Sequence, residues 1–477
     1  MTECRMEYAM KNMTLANITK VCDGTFFGNT EALEDEVTGV VIDSRLVEEG
    51  NLFVAIKGER VDGHSFIPAV FEKGAKCVLS EQKLEQPAGP YILVASCEKA
   101  LKQLAAFYRR ALDIKVVGIT GSVGKTSTKE MIASVLAQKY NVHKTEGNYN
   151  NEIGLPLTIF KIRDMHEVAV LEMGISDFDE MHRLAEMAHP DVMVITNIGL
   201  CHLENLKTRD GILTAKTESF EHLTECGSVV LNGDDDKLCE KTEVNGIKTV
   251  FYGIGKEPKL VEEEGTTKML AQKDIFATNV EAIGLTGTCA SIHTPEGSFE
   301  VEIPIAGEHN VYNALAAVGV GRKLGLNNEE MKRGIETVQT IAGRSNLIHK
   351  NGMTIIDDCY NANPVSMMAS IDVLSKASGR KVAVLGDMGE LGDTEVELHG
   401  KVGKHLAGKS IDVLYCTGVL SENIAKAVKE CSPQTKVSYF EEKEALIEAL
   451  LQDAMAGDTI LIKASHFMNF TEIIKAF

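Results

Sequence analysis

The fold class this chain predicts is α/β in three domains, and three observations carry the prediction. Its 477 residues exceed one ordinary core and, at roughly 150 residues per domain, suggest three. From Lys115 onward, continuous apolar runs alternate with helix-period segments, the pattern of parallel strands buried on both faces. The same alternation restarts after Gly343 with a second set of strands. Hydrophobic residues make up 44% and charged residues 25% of the chain, which excludes a disordered protein and suits a folded enzyme.

The expected domains span residues 1–100, 101–340 and 341–477. In the first, NLFVAIKG (51–58), CVLS (77–80) and YILVAS (91–96) are short β-like runs broken by Gly and Pro. EKALKQLAAFYRRA (98–111) has apolar residues at helical spacing and bridges into the second domain. There KVVGIT (115–120), VAVLEMG (168–174), DVMVITNIG (191–199) and SVVLNGD (228–234) are the parallel strands. Residues 277–306 alternate around a TPEGS turn, as an antiparallel patch does. In the third, TIIDD (354–358), KVAVLGD (381–387), IDVLYCTG (411–418), KVSYF (436–440) and TILIKA (459–464) are separated by helical stretches. These five strands predict a doubly wound, Rossmann-like sheet, although no GxGxxG follows the first, which argues against a dinucleotide site.

Formal charge is −20, which argues against a nucleic-acid partner. The 11 cysteines form no CxxC pair and no metal-ligand spacing, as expected of reduced thiols in the cytoplasm. The N-terminal MTECRMEYAMKNM lacks the apolar stretch of a signal peptide, and no apolar run is long enough to predict a membrane span.

The strongest chemical signal is VVGITGSVGKT (116–126), an apolar strand running into a Gly-rich turn and then a helical pattern from Lys129 to Gln138. Glycines let backbone amides wrap phosphate oxygens, and a helix N-terminus favours anions. Gly121, Ser122, Val123, Gly124, Lys125, Thr126 and Ser127 are therefore the candidate nucleotide loop. Lys125 would face the β/γ-phosphates, and the Thr126 hydroxyl would ligate Mg²⁺. Ile119 stands where the strict GxxxxGK[ST] pattern has its first Gly, so the turn is the tighter Gly121-x-x-Gly124-Lys125-Thr126.

Gly147-Asn148-Tyr149-Asn150-Asn151-Glu152-Ile153-Gly154 is a loop by composition. Glu172 ends a strand beside the expected phosphate site, placed either to hold a metal or to cap a turn. His202 could be an ordinary structural residue, and Lys216 an ordinary surface lysine. Asp234-Asp235-Asp236 has the look of a metal site but is better explained as a turn and helix start.

Taken together, TGSVGKT and GNYNNEIGLPLT (147–158) resemble the Mur ligase family, in particular its branch that adds a D-alanyl-D-alanine dipeptide. The resemblance runs from about Val41 to the C-terminus through DSR (43–45), FVAIKG (53–58), DGHSF (62–66), GEHNVYNA (307–314), AGR (342–344), DDCYNANP (357–364) and GDMGELG (386–392). It implies an N-terminal uridine-nucleotide domain, a central P-loop ATPase domain and a C-terminal Rossmann-like domain that receives the dipeptide. It implies an ATP-dependent ligase that joins D-Ala-D-Ala to UDP-N-acetylmuramoyl-tripeptide through an acyl phosphate, with two Mg²⁺ ions and a monomeric chain. Peptidoglycan synthesis, and with it cell-wall biogenesis, cell shape and division, is the implied context.

By the same resemblance, Lys125, His202 and Lys216 are catalytic. Asn310, Asn313, Arg344 and Asp358 join the nucleotide loop, and Ser44, Arg45, Asn148, Asn150, Asn151, Tyr360, Asn361 and Asn363 contact substrates. Thr126, Glu172, His202 and a carbamylated Lys216 hold metal. One stretch departs from the family: its KGSR element here reads Lys463-Ala464-Ser465-His466, losing a Gly and an Arg from a substrate-facing loop. Two other classes stay open at this stage, a folylpolyglutamate-synthetase-like ligase and a non-catalytic P-loop module.

Overall fold

The computed structural model describes residues 10–263 and 266–477. Three sheets, in chain order, account for the α/β class. The first has the order Thr25–Phe27, Tyr91–Leu93, Cys77–Ser80, Leu52–Val54, Val40–Val41, with only the first pair antiparallel. Thr25–Phe27 and Val40–Val41 are too short to announce themselves in sequence. The helix Cys97–Ala111 starts one residue before the expected segment, where the Ser96 hydroxyl caps the Lys99 N–H at 3.3 Å. Its far end is tied to the central domain: Tyr108 donates to the Ile162 carbonyl at 2.7 Å, and Arg109 Nε donates to that of Ala188 at 3.0 Å.

The central sheet has nine strands in the order Gly297–Ile303, Gly287–Thr294, Ile275–Ile283, Val250–Ile254, Ser228–Asn232, Val192–Ile195, Lys115–Thr120, Val168–Glu172, Val142–Lys144. The last seven run parallel, and the first two add the expected antiparallel patch to the same sheet. Lys115–Thr120 sits between strands that follow it by different crossovers, so the chain reverses direction across the sheet there. In open α/β sheets the crevice outside the carboxyl ends at such a point is where ligands bind. One face is covered by the helices Lys125–Leu136, Glu308–Lys323 and Asn328–Glu336, through Met131, Val135, Leu315, Val318 and Ile335.

The third sheet has six strands, not five, in the order Asn346–Lys350, Met353–Asp357, Thr459–Lys463, Lys381–Leu385, Val413–Thr417, Lys436–Phe440. The strand missed in sequence, Asn346–Lys350, is a half-exposed antiparallel edge whose NLIHK text has no apolar run. The other five are parallel, as expected. All the described cysteines are free. Among the described residues, no helix is long and apolar enough to cross a membrane.

Gly334 shows how tightly the helix behind the nucleotide loop is packed. A Cβ there would lie 2.4 Å from Val135 Cα and 2.9 Å from the Ser134 carbonyl, both backbone atoms of the helix Lys125–Leu136. Helix propensity alone favours Ala over Gly, but overpacking against a rigid backbone opposes it. Gly334→Ala is expected to lose about 1–3 kcal/mol of stability in urea unfolding. A midpoint raised instead would mean that the two helices part easily.

Candidate active site

Gly121 and Gly124 have φ of +146° and +85°, values that a side chain rarely tolerates. A Cβ on Gly121 would fall 1.9 Å from Thr196 Oγ1, so the loop lies directly on the end of the neighbouring strand. That strand end holds the loop in turn. Thr196 Oγ1 and Asn197 Nδ2 donate to the Val123 carbonyl at 2.6 and 3.0 Å, and the Val123 N–H donates to Asn197 Oδ1 at 3.0 Å. Ser122 Oγ accepts from the Gly199 N–H at 2.9 Å and donates to the Gly199 carbonyl at 3.1 Å. The helix begins at Lys125, four residues before the sequence pattern suggested, so its N-terminal amides open at the loop. Lys125 Nζ arches back to donate to the Gly121 carbonyl at 2.8 Å.

Glu172 is 2% exposed at the end of its strand. Its Oε1 accepts from Thr126 Oγ1 at 3.1 Å and Asn150 Nδ2 at 2.9 Å, while Oε2 is buried without a hydrogen-bond partner. A buried carboxylate oxygen left unpaired beside a hydroxyl is the arrangement a hard cation satisfies, so the donor set fits Mg²⁺. A purely capping Glu172, the other possibility left open by sequence, would have no reason to orphan that oxygen.

His202 Nδ1 pairs with Glu390 Oε2 at 2.7 Å, a contact between the central and C-terminal domains. That partner lowers the Glu390 pKa. Lys216, in the helix Arg209–Thr217, is 1% exposed, and burial pulls its pKa down to about 8, with Lys125 adding to the fall. Among the described residues it has no carboxylate ion-pair partner. Retaining the charge there costs about 3 kcal/mol, so an uncharged amine is unusually accessible.

Asn313 accepts from Thr128 Oγ1 at 2.8 Å and donates to Asn310 Oδ1 at 3.0 Å, which joins the GEHNVYNA helix to the loop helix. In the C-terminal domain, Lys463 Nζ is buried against Asp358 Oδ2 at 2.6 Å and donates to the Asn361 carbonyl at 3.0 Å. Ser370 Oγ and the Ser345 N–H also donate to Asp358, at 2.5 and 3.1 Å. Arg344 lies 4.2 Å over the Tyr360 ring, and His466 packs 5.6 Å from the same ring. Asn363 caps the helix Pro364–Ser375 by accepting from the Ser366 N–H at 2.9 Å.

One cleft of about 1410 Å³ gathers these walls. It is lined by Ser122, Val123, Gly124, Lys125, Thr126, Ser127, Asn150, Asn151, Glu172, His202 and Asn313 from the central domain. Arg344, Asp358, Tyr360, Asn361, Asn363 and Lys463 line it from the C-terminal one. Gly121 and Lys216 are not among the lining residues, Asn310 borders a small adjoining pocket, and Asn148 is on the exposed flank of its loop. Ser44 and Arg45 are not brought into the cleft. Arg45 points outward with an 86% exposed side chain bonded to Asp43, and Lys73 Nζ holds the Ser44 carbonyl at 2.8 Å.

The triple Asp is the turn it resembled. Asp235 accepts from the Lys237 and Leu238 N–H groups, Asp236 pairs with Arg209 at 2.5 Å, and Asp234 pairs with Lys273 at 2.8 Å. Sequence reading missed Asn197, Asn232, Tyr252, Tyr312 and His309, all of which line the cleft. Asn197 and Asn232 sit at carboxyl ends of parallel strands, a position that by itself could have flagged them.

Three family models match the chain: "Mur ligase family, catalytic domain" over residues 36–109, "Mur ligase middle domain" over 119–321 and "Mur ligase, glutamate ligase domain" over 343–466. A UDP-N-acetylmuramoyl-tripeptide--D-alanyl-D-alanine ligase of Bacillus subtilis is 38% identical over 98% of both chains. The structure of MurF from Acinetobacter baumannii superposes with a TM-score of 0.84 at 33% identity, covering 97% of this chain and 98% of that one. MurF from Thermotoga maritima, solved with ADP, gives 0.79 at 32% identity over 92% and 96%.

Glu172→Gln keeps an acceptor for Thr126 and Asn150 but removes the negative charge from the orphaned oxygen. Mg²⁺-dependent ATP binding should weaken about tenfold or more, roughly 1.4 kcal/mol, with Mg²⁺-free nucleotide binding little changed. Titration calorimetry with and without Mg²⁺ separates the two; equal affinities in both enzymes would remove Glu172 from the metal site.

Proposed function

The chain belongs to the Mur ligase family, and from that premise we propose that it adds D-Ala-D-Ala to UDP-N-acetylmuramoyl-tripeptide at the expense of ATP. It is an ADP-forming C–N ligase of peptidoglycan precursor synthesis. The observation that carries the reading is the single cleft in which the nucleotide loop, the GNYNNEIG loop and the DDCYNANP loop face one another.

Amide formation from a carboxylate and an amine is uphill in water, so the carboxylate must first be activated. A carboxylate oxygen of the tripeptide attacks the γ-phosphorus of ATP, the bond to the β-bridging oxygen breaks, and ADP leaves with an acyl phosphate formed. The neutral dipeptide amine then adds to the acyl carbon, its nitrogen gives up a proton to solvent, and the tetrahedral intermediate expels inorganic phosphate to leave the amide.

Lys125 and the amides of residues 124–127 offset charge on the transferring oxygens, the largest contribution to this class of reaction. Thr126, Glu172, His202 and a carbamylated Lys216 would hold two Mg²⁺ ions, which would draw charge from the phosphate oxygens. Asn150, Asn151, Tyr360, Asn361 and Asn363 orient the two peptides across the cleft, while Asn313, Arg344 and Asp358 organise its nucleotide end. Holding three substrates in register is itself worth several kcal/mol of barrier.

Residues 1–100 supply the uridine-nucleotide site through Ser44 and Arg45, residues 101–340 the ATP site and residues 341–477 the dipeptide site. The protein acts as a cytoplasmic monomer. His466, in the place of the family's arginine, packs against the Tyr360 ring over which Arg344 also lies, so Arg344 offers a cation to an anionic group there.

A coupled assay of ADP and phosphate release tests the assignment. Both products should appear in equal amounts only when ATP, UDP-linked tripeptide and D-Ala-D-Ala are all present, and Lys125→Ala should lower turnover at least about a thousandfold while remaining folded. Release that ignores the UDP-peptide and instead requires a folate-type acceptor carboxylate would favour a folate-type ligase. No release under any combination would make the chain a non-catalytic module.

A carbamate on Lys216 turns a repelled cation into an anionic ligand, and its formation needs the uncharged amine that burial favours. Lys216→Ala should be nearly inactive and partly rescued by short carboxylic acids. After CO₂ is stripped, readdition at a fixed dissolved CO₂ concentration should restore the unmutated enzyme faster as pH rises toward about 8 and level off above it, because the amine sheds its proton there. Rescue by amines, or full activity in Lys216→Ala, would end the carbamate assignment and leave the ligase standing.

A further inference from the structure

Among the described residues, one group of His, Cys, Asp or Glu converges as metal ligands do, and it lies outside the cleft. His182 stands on the helix Glu180–Ala188, and Glu221 and His222 stand on the turn Glu218–His222. Their nearest ligand atoms all fall within 4.8 Å of one another. His182 Nδ1 is 2.8 Å from Glu221 Oε2 and 3.3 Å from His222 Nε2, and the two rings meet edge to face at 69° with centroids 4.5 Å apart.

Hydrogen bonding alone serves this triangle poorly. His182 Nδ1 carries either one N–H or one lone pair, yet it faces two groups at once. If it donates to Glu221, it has no lone pair for an N–H from His222. If it accepts from His222, it turns that lone pair toward a carboxylate. A cation between the three groups is met by a lone pair from each. Ligands about 2.05 Å from a tetrahedral ion lie about 3.3 Å apart, which is the His182–His222 separation in the structure. Glu221 needs only a small swing to match it, and its 61% exposed side chain has the freedom. Two imidazoles and one carboxylate suit a borderline ion such as Zn²⁺ rather than Mg²⁺, which prefers oxygen.

The backbone is already arranged to hold the two segments together. The Glu218 carboxylate accepts from the Asp179 and His182 N–H groups at 3.1 and 3.2 Å, so the first turn of the helix is fastened to the turn that carries Glu221 and His222. The His182 and Glu221 side chains are 44% and 61% exposed, which leaves an approach from solvent and a coordination position open to water.

We propose that His182, Glu221 and His222 form a surface site for a Zn²⁺-class divalent ion, separate from the nucleotide metals. The bound ion clamps the helix Glu180–Ala188, whose first residue lines the cleft, to the turn that follows the Lys216 helix.

Co²⁺ is a suitable probe, because its visible d–d absorption is strong in a tetrahedral site and faint in a six-coordinate one. With Mg²⁺ saturating, the full chain should take up one Co²⁺ with the tetrahedral spectrum, and Zn²⁺ should displace it. His182→Ala and His222→Ala should each weaken uptake at least about tenfold, with circular dichroism and all-substrate turnover unchanged. Glu172→Gln, at the cleft, should leave the spectrum intact. A spectrum that survives both histidine variants, one lost in Glu172→Gln, or no tetrahedral Co²⁺ at all would overturn the proposal.

Discussion

The contact between Gly121 and Thr196 is the constraint from which the active site is built. With no room for a Cβ between them, the nucleotide loop is pressed onto the adjacent strand end, and Thr196 and Asn197 then hold Val123 from both sides. This fixes where the helix Lys125–Leu136 begins, and so where its unpaired amides point. The packing of Gly334 and Gly321 against that helix secures its far side, with Cβ clearances of 2.4 Å to Val135 Cα and 3.2 Å to Val135 Cγ1. The loop is therefore positioned by two neighbours, a strand end and a helix pair, rather than by its own conformation alone.

Around that loop the protein keeps charges under strain of solvation. Glu172 is buried with one oxygen unpaired, and Lys216 is buried without an anion. Each is costly alone: a cation beside the unpaired Glu172 oxygen would lower the first cost, and loss of the Lys216 proton lowers the second. For Lys216 the pH dependence follows from its lowered pKa. Below about 8 both the folded and unfolded chains carry the proton, and the penalty is fully present. Between about 8 and the ordinary lysine value the unfolded chain binds more protons, so stability rises with pH. Such stored cost is common where a site is organised for a ligand rather than for stability.

The C-terminal wall uses the opposite device. Lys463, which stands in the departing KASH stretch, is buried but paired with Asp358, and Ser345 and Ser370 complete the carboxylate's shell. Breaking such a pair strands a charge in the interior. Ala464 is buried beside Gly386, and Ser465 bonds the Gly389 N–H at 2.9 Å, so three of the four residues at this departure brace the loops. Only His466 faces outward, where it meets Tyr360.

Local periodicity alone determined the α/β class, the parallel runs of the central domain and the loop between strand and helix, because burial on both faces writes a continuous apolar run and a tight phosphate turn demands glycine. The motifs in order carried the family. Weak or short strands such as Asn346–Lys350 and Val40–Val41 were invisible, since an edge leaves half its side chains in water and sets no pattern. Which residues meet was decided only by tertiary structure. Glu172 gained its unpaired oxygen only from how its strand end packs beside Thr126 and Asn150, and Asn197 gained a role from the loop beside it. His182 and His222, 40 residues apart, become neighbours because a helix and a turn pack together. Such convergence depends on distances between elements, which no local periodicity encodes.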